Sequence, residues 1–152
     1  MDLRALLMMG LMATATVAAQ GQAATEQLSK QLFELKVERA GDRVMLVDLH
    51  TLDRSYGYFT EPDEELNGRY YGVLLTENAQ PLAYFRIPRM VAILCRDHVE
   101  DGKLSGGCEY QGTDGEYSIN APYFAEARFL DIFDETGVQL GRLDIAGFRS
   151  GD

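Results

Sequence analysis

The chain has 152 residues and a net charge of −10, with 24 Asp and Glu against 14 Lys and Arg. That balance excludes the cationic surface that nucleic acid and anionic lipid demand. A basic protein partner or a cation suits it better.

Arg4, the apolar run Ala5–Ala13 and the small residues Val17 and Ala19 give Met1–Ala19 the layout of a cleaved signal peptide. The run is shorter than the roughly 20 residues that span a bilayer. Removal of this segment takes one charge of each sign, Asp2 and Arg4. It leaves about 130 residues, enough for one domain with a hydrophobic core. No Cys near the cut accepts a lipid, and Gly147–Asp152 carries no apolar anchor. The expected location is therefore the periplasm or the exterior of a bacterium, without a stable membrane anchor.

Residues 20–31 read as a polar leader with room for one helical turn, 32–148 as a single domain and 149–152 as a tail. Phe33, Leu35 and Val37 alternate with Glu34, Lys36 and Glu38, the period of a half-buried strand. After the turn signal Gly41-Asp42, Val44–Leu49 completes a first hairpin. Further strands are expected at Tyr56–Phe59, Tyr70–Leu75, Leu82–Ile87, Val91–Cys95, Ala127–Phe133 and Val138–Ile145. Asp134-Glu135-Thr136-Gly137 places Asp and Gly where a type I turn with a following left-handed residue wants them. Short strands punctuated by Gly, Asn, Asp and Pro predict an antiparallel β-sandwich, ahead of a barrel.

Cys95 and Cys108 form an even pair, which in an exported protein is read as one disulfide. The alternative is a redox or metal-binding pair, but Cys-x-x-Cys spacing and a second pair for zinc are missing.

Tyr71-Gly72-Val73-Leu74-Leu75 with its following turn, and Ala121-Pro122-Tyr123-Phe124 leading into Ala127–Ile132, resemble the immunoglobulin-like β-sandwich modules of secreted bacterial proteins. The resemblance implies a module that binds, braces or presents something.

No catalytic, cofactor or metal constellation stands out. His50 ends an apolar strand. His98 lies in Arg96-Asp97-His98-Val99-Glu100-Asp101-Gly102, read as a solvated acidic loop whose spacing matches no EF-hand or His-x-x-x-His pattern. Ser105 precedes Gly106-Gly107, but Lys103 and Leu104 stand where a Gly-x-Ser-x-Gly elbow needs its first glycine.

The most informative surface runs from Tyr56 to Tyr71. There Tyr56, Tyr58, Phe59, Tyr70 and Tyr71 surround the acidic stretch Glu61-Pro62-Asp63-Glu64-Glu65. Tyrosines offer rigid amphipathic contact area, and the acids would steer a basic partner. The expected function is a non-enzymatic exported protein that engages another envelope protein through Tyr56, Tyr58, Glu61, Asp63, Glu64, Glu65 and Tyr70. A lysozyme-inhibitor-like role is its sharper form, since lysozymes are basic. Carbohydrate or small-ligand binding through Tyr56, Tyr58, Tyr70 or Tyr71 is the second reading, and a small hydrolase the third.

Overall fold

Alternating burial along Leu32–Ala40 makes this segment (β2) the centre of one sheet: Phe33, Leu35 and Val37 point into the core while Lys36 and Glu38 face water. It pairs antiparallel with Arg43–Leu52 (β3) on one side and Gly115–Pro122 (β9) on the other. Gly41, at φ 64°, supplies the tight turn between β2 and β3. The computed structural model describes residues 23–149; the segment read as a signal peptide and Ser150–Asp152 lie outside them.

A second, four-stranded antiparallel sheet has the order β11-β10-β5-β6. Its strands are Tyr71–Leu75 (β5), Pro81–Arg86 (β6), Phe129–Phe133 (β10) and Gln139–Asp144 (β11). Leu74, Ala83, Phe85, Leu130, Ile132 and Leu143 face the first sheet and share one buried cluster with Phe33, Leu35, Val37, Ile119 and Ala121. Each fully buried large apolar side chain contributes about 1.5–3 kcal/mol. The result is a β-sandwich-like all-β fold. The layers converge at Gly141 of β11, whose absent Cβ would lie 3.5 Å from the Val44 Cβ. At the opposite side Phe59 and Tyr84 exchange two backbone hydrogen bonds of 2.8 Å.

The expected strands are present with shifted ends, and the Asp134–Gly137 turn forms as the sequence predicts. Gly137 has φ 81°, and the Asp134 carboxylate accepts from Thr136 N–H, Thr136 Oγ1 and Val138 N–H at 2.7–2.9 Å. The leader is a correction. In place of a helical turn, Gln27–Ser29 (β1) pairs antiparallel with Tyr56–Tyr58 (β4). A five-residue helix, Ile145–Arg149 (α1), follows β11 and buries Ile145.

The stretch around His98 is a second correction. Arg96–Glu100 continues a strand, Ala92–Glu100 (β7), which pairs with Lys103–Gly112 (β8) in a separate two-stranded sheet. Asp101 and Gly102 both have positive φ, 52° and 72°, as a two-residue type I′ turn requires. The Asp-Gly signal therefore marks a hairpin tip. Cys95 and Cys108 are directly opposed in this ladder and form the disulfide.

Candidate functional site

The two sheets present unlike outer faces. On the three-stranded sheet the outward positions of β2 and β9 are Glu34, Lys36, Glu38, Glu116, Ser118 and Asn120, with Lys36 paired to Glu116 at 3.0 Å. That is the polar surface expected of a solvated sheet. The four-stranded sheet instead turns Tyr71, Tyr84, Phe129 and Phe133 outward, each half-buried.

Register explains how these rings meet. Tyr71 is the direct partner of Phe133, and the two rings stack at 4.8 Å with 7° between their planes. Tyr84 opposes Val73 one pair further along. At the other end Arg142 makes a bidentate pair with buried Asp131 at 2.7 and 2.8 Å, and its guanidinium lies 5.3 Å from the centre of the Phe129 ring. Burial, reinforced by Tyr84 and Asp134 nearby, raises the Tyr71 hydroxyl above its ordinary value, so Tyr71 is neutral at physiological pH.

The acidic stretch borders this face. From the Phe59–Tyr84 bridge the chain enters a 3-10 turn, Glu64–Leu66, capped by Asp63, whose carboxylate accepts from Glu65 N–H at 2.8 Å. Leu66 is buried, and Pro62, Asp63, Leu66 and Asn67 join Tyr71 and Tyr84 around a recess of 120 Å³. Glu65 pairs with Arg86. Glu61 and Glu64 are exposed.

The predicted surface residues thus separate. Tyr70 is a core residue at 7% exposure, because strand alternation turns it inward where it turns Tyr71 outward. Asp63, at 8%, is a capping group. Tyr56 is half-buried, edge-on to Phe85 at 6.1 Å, and its hydroxyl donates to the Arg86 carbonyl at 2.9 Å. Burial raises its hydroxyl pKa, with Arg86 opposing. Tyr58 packs edge-on against Phe124 at 5.2 Å and lines a different recess, of 530 Å³, with Tyr123, Phe124, Lys30 and Asp53. Tyr84 and Phe133 were missed: they lie far from the acidic stretch in sequence and reach it only through the pairing of β5 with β6 and β10.

His98 and Ser105 are cross-strand partners on the exposed hairpin, with Glu100 3.9 Å from His98. Asp97 falls on the opposite strand face. Among the described residues no three His, Cys, Asp or Glu side chains converge on a point that would hold a metal ion. No helix among them is long and apolar enough to cross a membrane. Compared with known protein families, curated proteins and solved structures, the chain matches none.

Proposed function

We propose that the protein is an exported, non-enzymatic binding or accessory protein that engages a basic envelope protein through the outer face of its four-stranded sheet. The observation that carries this reading is the aromatic face itself, where a solvated sheet would be polar. Tyr71, Tyr84 and Phe133 offer rigid contact area beside the exposed carboxylates of Glu61 and Glu64. The signal-peptide layout and the Cys95–Cys108 disulfide support an extracytoplasmic location. Two facing antiparallel sheets keep the immunoglobulin-like comparison in place as a scaffold reading. Immobilised protein should retain a basic species from envelope extract, and raised salt should release it because the acids act by steering. Retention that salt leaves unchanged would remove the electrostatic part of the proposal. A lysis-protection assay decides the lysozyme-inhibitor-like form.

Carbohydrate or small-ligand binding is the second reading, favoured by the 530 Å³ recess in which Tyr58, Tyr123 and Phe124 accompany Lys30 and Asp53. A glycan screen should then respond, and Tyr58→Ala should abolish the response.

A further inference from the structure

The hairpin of β7 and β8 stands apart as a two-stranded sheet of its own, with both edges unpaired among the described residues. Its two faces differ. Ile93, Val99, Leu104 and the disulfide share one face with Asp97, with exposures of 54%, 70% and 77% for the three apolar side chains. Arg96, His98, Glu100, Lys103, Ser105 and Glu109 occupy the other. The Cys95–Cys108 Cα separation of 4.0 Å marks a non-hydrogen-bonded pair. The N–H and C=O of Cys108 therefore point away from β7, and by alternation so do those of Gly106 and Leu104.

The geometry points to a second copy of this chain as the occupant of the β8 edge, paired antiparallel about a two-fold axis at Gly106. In that register Gly106 faces its own copy, and the outward backbone groups of Leu104 meet those of Cys108 in the partner. Leu104, the most exposed of the apolar side chains, then packs beside the partner's disulfide. On the polar face Lys103 falls opposite Glu109 of the second copy, twice across the axis, giving opposite-charge cross-strand pairs. Between Lys103 and Glu109 the β8 edge carries Leu104, Ser105, Gly106, Gly107 and Cys108, none of them charged; the one carboxylate beside this stretch is that of Asp97 on β7, which leans over Gly106. The β7 edge is less suited: centred on His98, it would set Asp97 against Val99.

This inference uses a surface separate from the aromatic face. Its test is the mass of the oxidised, full-length mature protein by sedimentation as a function of concentration. The wild type should form dimers, and Lys103→Glu or Glu109→Lys alone should weaken them by about tenfold, since each creates two like-charge pairs. Lys103→Glu combined with Glu109→Lys should restore the wild-type value. The two residues lie six positions apart on one strand, too far for restoration within one chain. A wild type that stays monomeric at ~100 µM, or single variants that dimerise like the wild type, would overturn the proposal. So would a double variant as weak as the single ones.

Discussion

Gly72 shows how narrowly single residues are chosen in the second sheet. A Cβ there would lie 2.6 Å from Phe85 Cζ and 3.1 Å from Leu130 Cδ1, both in the closed core. Gly72→Ala should destabilise the fold by about 1–3 kcal/mol in chemical denaturation; an unchanged midpoint would mean that Phe85 does not cover this strand. Asp134 acts on a turn. The Thr136 hydroxyl, then the Val138 and Thr136 N–H groups, with Arg39 adding, hold its carboxyl below the ordinary 3.8. A lowered folded pKa contributes stability that is present above 3.8 and lost as pH falls through the folded value. The stability difference between wild type and Asp134→Ala should therefore be full at neutral pH and shrink under acid. A difference constant down to low pH would contradict that assignment. The turn was readable because Asp and Gly spacing is local chemistry. Tyr70 was misplaced because two adjacent tyrosines cannot both face the same way on a strand, and nothing in their identity says which is inside.

At the scale of elements, strands with alternating or continuous apolar runs were readable: β2, β3, β5, β6, β10 and β11 all lie where the pattern places them. β8 was not, since Ser105-Gly106-Gly107 has neither bulk nor alternation; its strand state comes from pairing with β7 and from the Asp101-Gly102 turn. The same hairpin hides in sequence as an acidic loop around His98, because charges on a two-sided exposed ladder look like charges in a loop. A lone two-stranded hairpin is marginal in water, so the disulfide carries much of its order. Cys95→Ser with Cys108→Ser should lower the opening free energy of hairpin amides by about 3 kcal/mol. Hydrogen exchange should show this loss in β7 and β8 while protection in β2, β5 and β10 stays as in the wild type. Equal loss in the core would show that hairpin and sandwich fold as one unit.

Across the described residues, one aromatic face and one charged face lie on opposite sides of a common core. The fold class and the disulfide follow from patterns within the chain. The face does not, because Tyr71, Tyr84 and Phe133 are assembled by the register of three strands. The measurement that tests the account most directly is quantitative capture from envelope extract by the wild type and by Glu61→Lys/Glu64→Lys/Tyr84→Ser. These side chains are exposed or half-buried on the outer face, so the two proteins should melt within a few degrees of each other, on the order of the change from ~0.5–1 kcal/mol. The account predicts that the wild type retains a basic partner and the variant loses at least about tenfold in retention. Equal retention by both proteins, or none above blank resin, would contradict it.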